Sequence, residues 1–227
     1  MIRVQEVIRT YGEGESEFKA LKGVSFALKE GENLAILGKS GSGKSTLMHA
    51  LAGLDRPSSG RIIIKDKDLW SRSQKDIDLY RSQDVGFVFQ DFYLQNEETV
   101  LENVMVPLEI NGDTDRKEKA MEALKVLEID DKANNKANQL SGGQKQRVCI
   151  ARAIVGKPSI IFADEPTGNL DSKTSERVED ILFNIHKKFN TTLIVVTHDK
   201  ELSDKFSNSI TLKDGEITSH TGEGIQI

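Results

Sequence analysis

The chain has 227 residues, 37% of them hydrophobic, which suffices for one large domain with a proper core or for a main domain plus a small subdomain, and one domain with an insertion is the starting expectation. Acidic residues outnumber basic ones 36 to 31, for a formal charge of −5, so the long-range field disfavours nucleic acid and leaves only a local basic patch as a route to it. No strictly apolar run exceeds four residues, which argues against a membrane-spanning helix, and MIRVQEVIRT lacks the apolar stretch of a secretory signal. Any membrane role is therefore expected to come through a partner.

In chain order, IRVQEVIRTY and ALKGVSFAL read as strands on either side of a Gly/Glu-rich turn, an antiparallel edge. NLAILG from Asn33 is a short buried strand, followed by a glycine-rich loop and the helical STLMHALAGL. DRPSSG is a turn, RIIIKDKDL a strand, residues 74–82 a charged helical segment and VGFVFQ another strand. Beyond Gln90 the strand signal stops for some sixty residues. TVLENVMVPLEI, DRKEKAMEALKVLEI and QKQRVCIARAIV carry apolar residues at helical spacing, which predicts an all-helical insertion over about 91–157 between two strands of one sheet. Alternation of strand and helix then resumes with SIIFADEP, a helix over 173–189, TTLIVVTHD and a short helix. A hairpin turned at Asp214-Gly215 closes the fold, and TGEGIQI reads as a frayed end. The lone Cys149 cannot form an internal disulfide and reads as a small core residue. His49, His186 and His220 fit no motif and are expected at surface or boundary positions.

The loop after NLAIL is GKSGSGKST, with Gly38, Gly43, Lys44 and Ser45 in the P-loop pattern and the strand-before, helix-after context that the motif requires. Glycines let the backbone of Gly38, Lys39, Ser40, Gly41, Ser42 and Gly43 wrap a phosphate. The N–H groups then face the anion at the helix start. Lys44 is expected to bridge the β- and γ-phosphates, with Ser45 on Mg²⁺ and Thr46 completing the loop. Such a loop calls for a carboxylate at the end of a neighbouring apolar strand, and SIIFADE offers Asp164 for Mg²⁺ and Glu165 to deprotonate an attacking water. Read alone, that Asp-Glu pair is as easily a polar loop.

A second glycine motif, LSGGQKQR, spans Leu140, Ser141, Gly142, Gly143 and Gln144 at the head of a basic helix. Together with GKSGSGKST, VFQ, FADEPTGNLD and VVTHD, it makes the chain resemble, over nearly its whole length, the nucleotide-binding subunit of an ABC (ATP-binding cassette) transporter. The resemblance implies an α/β fold with a P-loop NTPase core, a mixed sheet, an antiparallel N-terminal β-subdomain and an inserted helical subdomain. It also implies that two copies pair head to tail, with the LSGGQ of one covering ATP on the P-loop of the other. Ser141, Gly142 and Gly143 suit that task, because a hydroxyl and unshielded N–H groups at a helix start favour a γ-phosphate.

By the same resemblance, Gln90 is the switch glutamine on Mg²⁺ and the attacking water, and His198 contacts the γ-phosphate. Asp171 belongs to the loop that crosses to the opposite site, and Tyr11 stacks on adenine, though a Tyr at a strand end also serves structurally. The catalytic set is then Glu165, His198, Gln90 and Lys44, with Ser45, Gln90 and Asp164 around the metal.

ADEPTGNLDS, the Gly/Glu stretch after Tyr11 and GFVFQ followed by TVLENV look most like the bacterial lipoprotein-release, macrolide-export and cell-division subgroup. Gln95-Asn96-Glu97-Glu98 departs from it in a region facing the partner, and Cys149 replaces a usual alanine. The expected function is ATP hydrolysis in a homodimer assembled by ATP, peripheral on the inner face of the cell membrane, powering export or a mechanical pull through an integral membrane permease. The rival from another class is an ATP-driven switch for a cell-wall hydrolase in cell division. A soluble ABC protein of DNA repair or translation is disfavoured, because the chain has neither long coiled coils nor two cassettes.

Overall fold

The structure, a computed structural model, describes residues 1–226 apart from the Glu15 side chain. The chain divides into two compact units, Met1–Arg81 with the segment from Thr192 onward, and Ser82–Thr191.

In the first unit, β1 (Ile2–Tyr11) and β2 (Phe18–Leu28) pair antiparallel. Their alternate residues Ile2, Val4, Leu21, Val24, Phe26 and Leu28 point into the core. β4 (Ser59–Ile64) joins the other edge of β1. The register slips between Val4 and Val7, where Glu6 turns left-handed at φ 49°. Gly60 lies opposite, and a Cβ there would sit 2.3 Å from the Glu6 carbonyl oxygen, so only glycine lets β4 follow the bulge. The strand expected over RIIIKDKDL breaks in two. Lys65 and Asp66 both adopt positive φ, 52° and 61°, a tight hairpin turn that returns the chain as β5 (Lys67–Asp68).

β3 (Asn33–Leu37) runs parallel to β8 (Thr192–Thr197) and to β9 (Ser209–Lys213). Leu34, Ala35 and Ile36 and Leu193–Val196 are wholly buried, which is why these strands read as continuous apolar runs. β10 (Glu216–Thr221) folds back on β9 at Asp214-Gly215, with φ 51° and 86°, the hairpin expected there. The end is not frayed as far as it is described: Ile225–Gln226 form a last strand, β11, on β2, and Ile225 is buried. A side chain able to bury itself against an open strand edge offsets the entropy of ordering the tail. Ile227 lies outside the described residues. α1 (Lys44–Leu51), α2 (Gln74–Leu79), capped by Ser73, and α7 (Lys200–Ser203) complete the unit.

In the second unit, β6 (Val85–Val88) and β7 (Ile160–Asp164) are parallel. Between them come α3 (Val100–Ile110), α4 (Arg116–Val126) and α5 (Gly142–Ile154), and after them α6 (Ser172–Phe189). The helix starts are local chemistry: Thr99 with Glu102 and Ser141 with Gln144 form reciprocal capping boxes, and Asp171 caps α6. Phe87 stacks on Phe89 at 4.7 Å and on the buried Phe162 at 5.6 Å, tying β6 to β7. His186 is buried, not at a boundary, because its Nδ1 meets the Thr191 carbonyl oxygen at 2.7 Å beyond the end of α6. One satisfied ring nitrogen removes much of the cost of burying it. Among the described residues, no helix is long and apolar enough to cross a membrane.

Candidate functional site

The phosphate loop lies wholly in the first unit, between β3 and α1. Gly43 is the residue before the helix, at φ 101°. A Cβ on it would come within 2.5 Å of the Ala20 carbonyl oxygen, and one on Gly38 within 2.4 Å of both the Leu212 carbonyl oxygen and Ser42 Oγ. The backbone is therefore drawn as close as glycine permits. Lys44 is buried, and its ammonium donates to the carbonyl oxygens of Gly38 at 2.9 Å and Lys39 at 3.2 Å. The hydroxyl of Ser42 is buried with no partner. Lys39, Ser40, Gly41 and Ser45 are exposed and Thr46 is half-buried.

A buried cation bonded to two neutral carbonyls, beside an unpartnered buried hydroxyl, is an arrangement that an anion would satisfy.

Tyr11 stands in the same unit, held on three sides. Its hydroxyl donates to the Asp55 carboxylate, which also takes Nη2 and Nε of Arg9 at 2.6 and 2.9 Å. The Arg9 guanidinium lies 4.4 Å from the Tyr11 ring centre, and Phe18, its partner across the strand pair, 5.5 Å away. Arg9 and Asp55 escaped the sequence reading because 46 residues separate them. His198 follows β8 and is exposed, just ahead of the Asp199 cap of α7.

The carboxylates belong to the second unit. Asp164 ends β7, half-buried, and Glu165 follows in a left-handed conformation at φ 44°, uncommon for a residue with a long side chain and a mark of a loop held in place. The Gly168 N–H closes a turn onto the Glu165 carbonyl oxygen at 3.0 Å. Gln90 is exposed. Asn169 joins it to this loop, Nδ2 donating to the Gln90 carbonyl oxygen at 3.1 Å and Oδ1 accepting from Gln90 Nε2 at 3.4 Å. Asp171 accepts the Thr174 hydroxyl at 2.7 Å and the Thr174 N–H at 3.1 Å. Both bonds hold its carboxyl below the usual range.

Ser141 and Gly142 are exposed at the head of α5, while Leu140 is buried beneath them. Ser141 accepts from the Gln144 N–H at 3.4 Å and Gln144 accepts from the Ser141 N–H at 2.9 Å. A Cβ on Gly143 would meet Thr174 Cγ2 at 2.3 Å. The acidic departure at residues 95–98 is tethered: Glu97 pairs with Lys136 at 3.0 Å, and that bond holds its carboxyl low. Asn103 bonds both the N–H and the carbonyl oxygen of Gln95.

Residues 21–168 match the family described as ABC transporter. The lipoprotein-releasing system ATP-binding protein LolD of Bdellovibrio bacteriovorus is 42% identical over 220 residues, 96% of this chain and 100% of that protein. Among solved structures, a dimeric bacterial ABC transporter cassette superposes with a TM-score of 0.89 at 41% identity, covering 98% of each chain. A dimeric post-hydrolysis state of an ATP-binding cassette, bound to ADP and Pi, gives the same score, identity and coverage. With matches of this extent, the chain belongs to the ABC transporter family and has its ATP-binding cassette fold.

Proposed function

We propose that this protein is the ATP-hydrolysing subunit of an ABC transporter, working as a homodimer beneath an integral membrane permease whose movement it powers. The observation that carries the reading is Lys44, a buried ammonium satisfied only by loop carbonyls at 2.9 and 3.2 Å beside the orphaned Ser42 hydroxyl. A triphosphate would replace those carbonyls with charged oxygens and supply the missing partner. Tyr11, anchored through its hydroxyl to Asp55, would stack on adenine by the part of its ring that Arg9 does not cover.

Mg²⁺ fits the donor set. By their chemistry, the Ser45 hydroxyl of the first unit and the Asp164 carboxylate and Gln90 amide oxygen of the second are hard oxygen donors, the kind Mg²⁺ takes beside water and phosphate oxygens. When bound, it would neutralise charge on the β- and γ-phosphates.

Glu165 then accepts the proton of the attacking water, Gln90 orients that water and His198 steadies the γ-phosphate. Ser141, Gly142 and Gly143 cover the nucleotide of the opposite subunit, and Asp171 lies on the loop that crosses with them. Attachment through the permease places the protein peripherally on the inner face of the membrane. Named relatives of this extent belong to lipoprotein-releasing systems, which makes a lipid-modified polypeptide the first cargo class to test and gives no support to the cell-wall switch.

The test is Glu165→Gln, which keeps shape and removes the proton acceptor. Phosphate release should fall by roughly 10²–10⁴-fold, and gel filtration should show a dimer with ATP and a monomer with ADP or without nucleotide. Wild-type turnover, or a monomer in all three conditions, overturns the reading.

A further inference from the structure

Gln146 lies in α5, five residues beyond Ser141, and is wholly buried. Its Nε2 donates to the Pro166 carbonyl oxygen at 2.6 Å, while its Oε1 has no partner. A buried amide with half its hydrogen-bonding capacity unused is a poor core filler, since an apolar side chain of that volume costs less to desolvate. What the position supplies is the donor. Pro166 follows Glu165, whose left-handed backbone and closed turn fix the point at which its side chain leaves the loop.

Two more side chains of α5 grip the segment after Gln90 in the same way. The Cys149 thiol donates to the Phe92 carbonyl oxygen at 3.0 Å, and Arg152 donates to Phe92 at 2.9 Å and Tyr93 at 2.7 Å. Gln146, Cys149 and Arg152 recur every third residue, one ridge of the helix. Each holds a main-chain oxygen of a segment bordering Glu165 or Gln90. The head of the same helix is Ser141–Gly143, and the close approach of Gly143 to Thr174 locks that head against the start of α6.

We infer that α5 is a lever and Gln146 its positioning residue. When Ser141–Gly143 engage the nucleotide of the opposite subunit, the shift of α5 passes through Gln146 to Pro166 and sets Glu165 of its own subunit, so that a filled site licenses hydrolysis in the other. Such coupling needs contiguous contacts that both sites bias, and the ridge supplies them. The inference rests on the roles given to Ser141 and Glu165 under Proposed function. In this role Gln146 acts through the Pro166 carbonyl oxygen and transfers no proton.

The test compares wild type with Gln146→Met, similar in volume but without a donor, and Gln146→Asn, whose amide falls short of Pro166. Thermal unfolding sets an assay temperature at which each variant is folded. Steady-state ATP hydrolysis should show kcat lowered about 10- to 100-fold, as expected for a misplaced catalytic group, with KM within about twofold and the Hill coefficient for ATP reduced toward one. Gln146→Met combined with Glu165→Gln should still dimerise with ATP, because the P-loop and Ser141–Gly143 are untouched. Unchanged kcat and Hill coefficient in a folded variant would mean that Gln146 only packs. Failure of the combined variant to dimerise, where Glu165→Gln alone succeeds, would assign Gln146 to assembly and overturn the lever. A monomeric Glu165→Gln protein in ATP would instead overturn the reading beneath it.

Discussion

Lys44 turns its ammonium back onto the Gly38 carbonyl oxygen, 2.9 Å away, so the charge proposed to meet the γ-phosphate is stored against its own loop. Exchange of neutral for charged acceptors is the gain on binding. Charge-assisted bonds contribute about 1.5–3 kcal/mol, so Lys44→Ala should weaken ATP binding by about 10- to 100-fold, read by titration with a fluorescent ATP analogue. Near-normal affinity would remove the P-loop from the site.

Ser141 is exposed and its capping bond is made with Gln144 of the same helix, so replacing it disturbs no long-range contact. Ser141→Arg should leave ATP affinity within about twofold yet abolish dimerisation in the Glu165→Gln background, since a bulky side chain fills space meant for a γ-phosphate. Light scattering with ATP decides it; a normal dimer would detach LSGGQ from the interface.

Burial pushes the Cys149 thiol up to about 11, against a weaker downward pull from Arg152. At pH 8 roughly one thiol in a thousand is then ionised, and none faces solvent. An aromatic disulfide reagent should label native protein at least about 100-fold more slowly than protein unfolded in guanidinium. Comparable rates would show that α5 opens readily from the Phe92 segment.

Asp171 is held below the ordinary carboxylate range first by the Thr174 hydroxyl and then by the Thr174 N–H. A depressed folded value contributes stability above the unfolded value and loses it as pH falls through the folded one. Asp171→Asn keeps a capping oxygen without the charge. The melting temperature of wild type should therefore exceed that of the variant near neutrality and converge on it below the ordinary carboxylate range. A difference constant from pH 7 to 3 would contradict the assigned cause.

Local chemistry was readable in the chain. The strand, glycine loop and helix around Lys44 and the Asp214-Gly215 turn depend on residues a few positions apart, so propensity and spacing alone specify them; the caps at Thr99, Ser141 and Asp171 are equally local, though the reading of the sequence did not single them out. Lys65-Asp66 was missed because Lys seldom takes positive φ and Asp66, with no glycine beside it, is a weaker turn signal than Asp214-Gly215; pairing of β4 with β5 imposes the turn. Glu165 and Asp164 were found as a pair of types at a strand end, but nothing in the string shows that Glu165 turns left-handed or that its loop hangs from Gln146.

What only the tertiary structure decided are the partners. Tyr11 and Asp55 stand 44 residues apart, Gln146 and Pro166 20, Arg152 and Phe92 60. A hydrogen bond across such distances leaves no period in the sequence, because its geometry exists only after the core of each unit has closed. The sequence by itself determined which chemistry the chain carries: a phosphate loop, a carboxylate pair and a second glycine motif. Folding determined how each is held. Orientation is a property of contacts between distant segments, and residue identity at one position does not contain it.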